Sequence, residues 1–157
     1  METRTKVVVL SDHPGFHPVV ISTLSSEGFR VRAARSGATV LDWLARDPGI
    51  KVLILDARPL SLPDDSRVPL GLPFAQLLLE QRRESQITSP LELLFISMHP
   101  EPPEQEEIHK LRGTLIHGAF EPHELVQAVK EASVRASLTR PAPGETEALT
   151  TRSLATA

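Results

Sequence analysis

Short apolar runs alternate with amphipathic stretches from the beginning of the chain to about residue 137. The central run, VLIL at 52–55, is preceded by Lys51 and followed by Asp56. An unbroken apolar run that contains β-branched residues is typical of a strand covered on both faces, at the centre of a parallel sheet. The same pattern predicts four further strands, at residues 6–10, 30–34, 91–96 and 114–116.

The stretches between these runs carry apolar residues three and four positions apart, which is the period of an amphipathic helix. The last of them shows the period best, at Leu125, Val129, Ala132 and Ala136. Five helices are predicted, beginning near Pro18, Ser36, Phe74, Pro102 and Pro122. Strands that alternate with helices five times predict an α/β domain with a parallel sheet and helices on both faces.

Two segments interrupt this regular order. Residues 57–72 carry several prolines and an acidic pair, which predicts a long irregular loop after the central strand. After about residue 138 the composition changes to Thr, Ala, Pro, Gly and Glu without periodicity. We therefore expect one folded domain over residues 1–137 and a disordered tail over residues 138–157.

Composition narrows the choice of function. The net charge of −3 and the pI of about 6.1 argue against a nucleic-acid-binding surface. The chain has no cysteine, which excludes disulfides, thiolate metal sites and cysteine nucleophiles. Charged residues interrupt every apolar segment before the roughly 18 residues that a membrane span needs. We therefore expect a cytoplasmic protein that has neither a nucleic acid nor a membrane as its partner.

Polar side chains stand where the predicted strands end. Because the carboxyl ends of parallel strands meet at one edge of a doubly wound sheet, we expect these side chains to share one crevice. Two carboxylates there suit Mg²⁺, and an aspartate can act as a nucleophile toward a phosphoryl group. A lone aspartate or serine in such a place can equally be a turn residue. The residues at the strand ends are Ser11, Asp12, Asp56, Ser97 and His117.

Several short pieces, taken in order, resemble the receiver domain of bacterial response regulators over about residues 4–137. The pieces are VVVLSDHP at 7–14, VLILD at 52–56, Gly71 before the third helix, LFIS at 94–97 and GAFEPHEL at 118–125. The resemblance implies a flavodoxin-like (βα)5 fold, with a doubly wound five-stranded parallel sheet in the order 2-1-3-4-5. It also implies a signalling module that is not an enzyme beyond gaining and losing its own phosphoryl group.

The resemblance implies a role for four residues. Asp56 matches the aspartate that accepts a phosphoryl group from a sensor histidine kinase or a phosphotransfer protein. Asp12 matches a carboxylate that binds Mg²⁺ beside Asp56, and the backbone carbonyl of Arg58 matches a further ligand of that ion. Ser97 matches the hydroxyl residue that senses the phosphoryl group. Protein partners are expected on the face formed by the fourth helix, the fifth strand and the fifth helix.

The chain departs from the family pattern at four positions. Ser11 replaces the first of two acidic residues, which weakens the expected Mg²⁺ site. Gly118 replaces a lysine that pairs with the phosphoryl group in the family. Leu115 stands at the position of an aromatic switch residue. Met98 replaces a small residue and is expected to narrow the access to the acceptor.

Other cations are poor replacements for the missing lysine. Arg58 and His117 are near the expected site in sequence, but we interpret them as coincidental surface charges. His13 and His17 are four residues apart, and Pro14 and Gly15 between them argue against a shared helical face and a metal site.

Three functions remain open from the sequence. The first is a stand-alone receiver that is phosphorylated on Asp56 and signals through protein contacts. The second is a pseudo-receiver, an interaction module that keeps the fold but is not phosphorylated. The third is an enzyme of another flavodoxin-like class, which only the expected crevice supports.

Overall fold

A computed structural model describes residues 4–13, 15–57 and 70–138, and within them a five-stranded sheet with five helices. The strands are β1 (Lys6–Leu10), β2 (Arg30–Ala34), β3 (Ile50–Asp56), β4 (Glu92–Ser97) and β5 (Thr114–His117). The helices are α1 (Phe16–Ser25), α2 (Gly37–Arg46), α3 (Gly71–Glu84), α4 (Pro102–Lys110) and α5 (Pro122–Leu138). Strands and helices alternate as the apolar pattern predicts.

All strand pairs in the sheet are parallel, and the strand order is β2-β1-β3-β4-β5. The register aligns Val9 with Ile54 and Asp56 with Ile96, so β3 is paired on both sides along its apolar run. This order confirms the flavodoxin-like (βα)5 fold that the resemblance implies.

The two faces of the sheet are covered by different helices. Alternate residues of β3 divide between them: Leu53 and Leu55 pack with α2, α3 and α4, whereas Val52 and Ile54 pack with α1 and α5. All four side chains are inaccessible to solvent. The unbroken apolar run of β3 is therefore explained by burial on both faces, as expected for a central parallel strand.

Helix boundaries differ from the predicted ones by a few residues. Helix α3 begins at Gly71, three residues before Phe74, and Gly71 has a positive φ of 67°, which glycine adopts readily. Helix α1 begins at Phe16 and ends at Ser25, and Gly28, with φ of 95°, lies in the turn that follows. Helix capping and turn geometry, not apolar spacing, decide these ends.

Two predicted segments lie outside the described residues. Most of the loop predicted over residues 57–72 is among them, since residues 58–69 are not described. The predicted tail, residues 138–157, is also outside except for Leu138, which is the last residue of α5. Among the described helices, none combines the length and the apolar character that crossing a bilayer requires.

Candidate functional site

The carboxyl ends of the central strands bring four groups of residues to one edge of the sheet. Asp56 is the last residue of β3, and Ser97 is the last residue of β4. Residues 11–13 follow β1, and Gly118 follows β5. Parallel pairing forces these ends onto the same edge, so positions far apart in sequence become neighbours.

Asp12, His13 and Asp56 form the most compact polar cluster at this edge. One ligand-type atom from each of the three side chains lies within 4.8 Å of the others. The Nε2 atom of His13 lies 2.8 Å from Oδ2 of Asp56, at hydrogen-bonding distance. The Asp56 side chain is only 12% exposed and that of His13 is 37% exposed, so the cluster is open to solvent from the His13 side.

Ser11 connects two members of this cluster, Asp56 and His13, through its buried hydroxyl. Its side chain is buried, and its hydroxyl donates to Oδ2 of Asp56 at 3.2 Å. The same hydroxyl oxygen accepts a hydrogen bond from the backbone N–H of His13 at 3.1 Å. Ser11 therefore fixes both the Asp56 carboxylate and the turn that carries His13. The serine that replaces an acidic residue of the family has a structural partner in this chain.

Ser97, at the end of β4, is hydrogen-bonded to helix α4. Its side chain is buried, and its hydroxyl donates to Oε1 of Glu104, in the first turn of α4, at 2.6 Å. A hydroxyl that senses a phosphoryl group on Asp56 would have to exchange this partner. The bond links the end of β4 directly to the beginning of α4.

The Met98 side chain lies where a Cβ atom on residue 118 would be. A Cβ atom on Gly118 would collide with the Met98 side chain and would lie 3.0 Å from the Met98 Cα. The backbone N–H of Gly118 donates to the carbonyl of Ser97 at 2.8 Å, which keeps the two segments close. A side chain at position 118 would therefore require the Met98 side chain to move.

The remaining expected residues do not add a cation to the site within the described part of the chain. Arg58, whose carbonyl was expected to bind an ion, lies outside the described residues. His117 is exposed, and its Nδ1 accepts a hydrogen bond from the backbone N–H of Ala119 at 3.1 Å. Leu115, at the position of the aromatic switch residue, is partly buried against the apolar cluster that includes Phe95 and Ile108.

His13 is the site residue that the sequence analysis missed. In the sequence His13 stands out only for its spacing from His17, whereas in the structure its imidazole contacts Asp56. Its position directly after Asp12, at the end of a central strand, was the available signal. Side chains in a turn point in directions that apolar periodicity does not predict, so the contact appears only in three dimensions.

The donor set fits a divalent cation. Two carboxylates on adjacent strand ends are what Mg²⁺ commonly takes from a protein, with water completing its octahedron. Asp12 and Asp56 provide these carboxylates within 4.8 Å, and both are partly buried. The nitrogen of His13 in the same cluster is a donor that Mg²⁺ does not ordinarily use.

Comparison with solved structures identifies the architecture. The chemotaxis protein CheY4 of Vibrio cholerae is 21% identical, with a TM-score of 0.67, over 83% of this chain and 99% of that one. The signal receiver domain of a putative LuxO repressor protein from Vibrio parahaemolyticus is 16% identical, with a TM-score of 0.68, over 87% and 95%. The chain has the receiver-domain fold.

A third structure with the receiver fold has a lower sequence identity to this chain. The response regulator receiver domain protein of Methanospirillum hungatei JF-1 is 13% identical, with a TM-score of 0.69, over 86% of this chain and 98% of that one. No family model matches the sequence, and the search of curated proteins finds no match. At these sequence identities, structural similarity to receiver domains establishes the fold alone. The chemistry follows from the residues at the site.

Proposed function

We propose that this chain is a receiver module of a phosphorelay, which accepts a phosphoryl group on Asp56 and signals through protein contacts in the cytoplasm. The observation that carries the proposal is the position of Asp56. It ends the central strand of a receiver fold, is 12% exposed, and has the Asp12 carboxylate beside it. The donor would be a sensor histidine kinase or a phosphotransfer protein, as in the family that the chain resembles.

The proposed step is a phosphoryl transfer from a donor imidazole to an aspartate. An Asp56 carboxylate oxygen forms the new P–O bond while the P–N bond to the donor breaks, and the electron pair returns to the donor imidazole. Asp12 and Asp56 would hold Mg²⁺, which offsets the negative charge that collects on the phosphoryl oxygens when it is bound. Ser11 orients the acceptor carboxylate through its hydroxyl.

The proposed output surface is the face of α4, β5 and α5. Ser97 is bonded to Glu104 in the first turn of α4, so a phosphoryl group that attracts the Ser97 hydroxyl would release this helix from β4. The beginning of α4 is acidic and exposed at Glu101 and Glu106, which favours a basic protein partner. We propose that the chain acts on that partner through this face.

The pseudo-receiver is the second candidate, and specific contacts favour it. Position 118 has no side chain that could pair with a phosphoryl group, and His13 and Ser11 both contact the same Asp56 oxygen. A carboxylate oxygen with two partners is a poorer nucleophile than one with none. In this case the same α4 surface would bind its partner independently of phosphorylation.

One experiment separates the two. The chain is incubated with acetyl phosphate and Mg²⁺, and its intact mass is measured beside Asp56→Asn and the control Asp42→Asn. We expect one phosphoryl adduct in the wild type and in Asp42→Asn, and none in Asp56→Asn. Asp42 is a suitable control because it is an exposed aspartate on α2, away from the site.

A wild-type chain that gains no adduct from acetyl phosphate or a phosphohistidine donor, and does not bind beryllofluoride, would overturn the phosphorelay proposal. The pseudo-receiver would then be the function to test, by measuring the affinity of a partner for the wild type and for Asp56→Asn. Equal affinities would support it.

A further inference from the structure

We infer that Asp12, His13 and Asp56 form a mixed nitrogen–oxygen site that binds a first-row transition-metal dication, such as Co²⁺, Ni²⁺ or Zn²⁺, more tightly than Mg²⁺. The inference goes beyond phosphoryl acceptance, because ion binding at these side chains requires no phosphoryl group. It also assigns His13 a role as a ligand, beside the two carboxylates.

The separations of the ligand atoms suit one shared ion. Two donors that each lie about 2.1 Å from a metal, at angles between right and tetrahedral, are separated by roughly 3.0–3.4 Å. Nε2 of His13 and Oδ2 of Asp56 are 2.8 Å apart, so a small outward movement of either side chain admits an ion between them. The Asp12 carboxylate completes the set within 4.8 Å.

The turn after β1 holds the nitrogen ligand in position. The His13 backbone N–H donates to the Ser11 hydroxyl, and that hydroxyl donates to Asp56. The imidazole and the carboxylate are therefore connected through one buried serine. This arrangement reduces the conformational entropy that the two ligands lose when an ion binds.

The donor chemistry decides which ion is preferred. Mg²⁺ is a hard cation that takes oxygen ligands, usually one or two carboxylates from a protein. This site offers Mg²⁺ two carboxylates, but its third donor is the His13 nitrogen, which Mg²⁺ does not ordinarily use. Imidazole nitrogen favours Zn²⁺, Ni²⁺ and related ions, whose affinities follow the order of the first-row series.

The test is a titration of the untagged protein with Co²⁺, followed by its visible d–d absorption, and a separate titration with Mg²⁺. We expect one Co²⁺ per chain, with an affinity at least about 100-fold above that for Mg²⁺. His13→Ala should lower the Co²⁺ affinity by at least about tenfold. It should not lower the Mg²⁺ affinity, because it removes a competing partner of the Asp56 carboxylate and no oxygen ligand. Asp12→Asn should weaken the binding of both ions.

His109→Ala is the matched control, since His109 is an exposed histidine in the last turn of α4. It should bind Co²⁺ as the wild type does. In the wild type, Co²⁺ should also displace the NMR signals of the His13 imidazole protons, a readout that needs no variant to fold. Loss of an ultraviolet circular dichroism signal in His13→Ala would leave that NMR experiment as the deciding one.

Three results would overturn the inference: an unchanged Co²⁺ affinity in His13→Ala, Mg²⁺ binding as tight as Co²⁺ binding, or His13 signals that Co²⁺ does not displace. These measurements use the unphosphorylated chain. Failure of Asp56 to accept a phosphoryl group would therefore leave the metal inference standing, and failure of Co²⁺ binding would leave the phosphorelay proposal standing.

Discussion

At the scale of single residues, Met98 and Gly118 show how two substitutions in the sequence depend on each other. Met98 is 56% exposed, yet its side chain lies against Gly118 closely enough to exclude a Cβ atom there. Neither residue explains the other in the sequence, where they are twenty positions apart. The parallel pairing of β4 and β5, with Ser97 opposite His117, brings them together.

We expect Gly118→Ala to lower the free energy of unfolding by about 1 kcal/mol, because the added methyl group lies too close to the Met98 Cα and forces its side chain to turn away. In a Met98→Ala background the same change should cost less, since the side-chain atoms that it meets are gone. The coupling between the two substitutions should reach at least about 0.5 kcal/mol. Urea unfolding of the two single variants and the double variant measures it.

Gly15→Ala is the control for the double-mutant cycle of Gly118→Ala and Met98→Ala. A Cβ atom at Gly15 meets nothing within 4 Å, and Gly15 has a negative φ of −90° that any residue adopts. Its effect on stability should stay within about 0.5 kcal/mol. Additive effects of Gly118→Ala and Met98→Ala would contradict the packing argument.

Residue-level chemistry could be predicted from the sequence only in part. Asp12 and Asp56 were expected to be neighbours because each ends a central strand, and strand ends are a backbone property. The contact of His13 with Asp56 could not be predicted in this way. It depends on the side-chain direction in a turn that Ser11 stabilises through its hydroxyl.

At the scale of elements, the Ser97–Glu104 bond attaches α4 to the sheet. Helix α4 is short, and Ile108 is the side chain that it buries fully. A hydrogen bond between a buried hydroxyl and a carboxylate is therefore a large part of what holds its first turn.

Glu104→Ala should lower the free energy of unfolding by about 1–2 kcal/mol, because it leaves the Ser97 hydroxyl buried without this acceptor. It should also speed amide exchange in α4 more than in α5, since the lost bond is local. Hydrogen-exchange mass spectrometry resolves the two helices. Glu106→Ala, on the exposed side of the same helix, should change neither quantity appreciably.

A double-mutant cycle of Glu104→Ala with Ser97→Ala tests whether the lost hydrogen bond causes the loss of stability. If the bond is the cause, the stability losses of Ser97→Ala and Glu104→Ala will not add, because each removes the same contact. Full additivity would show that Glu104 stabilises α4 in another way.

The elements themselves were largely predictable. All five strands and five helices follow from runs of apolar residues and their period, and each predicted strand exists. The exact helix ends were less predictable: α3 begins at Gly71, whose φ is positive, and apolar spacing does not encode that conformation. The segment between Asp56 and α3 remains a sequence prediction over residues 58–69.

At the scale of the whole molecule, the ion pair between Lys6 and Asp47 makes stability depend on pH. It lies at the amino ends of the strands, opposite the candidate site. Asp47, which follows α2, accepts a hydrogen bond from Nζ of Lys6 at 2.9 Å. This bond, and the one from the Gly49 backbone N–H, hold the pKa of Asp47 below its ordinary value. A carboxyl whose pKa is lowered by folding stabilises the folded state only while it is ionised.

We therefore expect Asp47→Asn to be less stable than the wild type above about pH 5 and to approach it as the pH falls below about 4. Both partners are about one third exposed, so the difference should not exceed about 1 kcal/mol. Chemical denaturation across this pH range measures it. The wild type loses the contribution as the pH falls through the lowered pKa of Asp47.

Asp42→Asn removes a more exposed pair, with Arg46 one turn away on α2, and should cost only about 0.3 kcal/mol. A stability difference for Asp47→Asn that stays constant down to strongly acidic pH would contradict the role of its ionised form.

The sequence by itself predicted the alternation of strands and helices, the central place of β3, and the sheet edge at which Asp12, Asp56 and Ser97 lie. An unbroken apolar run is typical of a strand buried on both faces, and parallel strands end at one edge. The strand order was implied by the resemblance to receiver domains. Only the tertiary structure decided that His13 contacts Asp56, that Ser97 is hydrogen-bonded to Glu104 of α4, and that Met98 lies against Gly118. These contacts join side chains from different elements, and their distances depend on turn geometry and packing, which no local period in the sequence specifies.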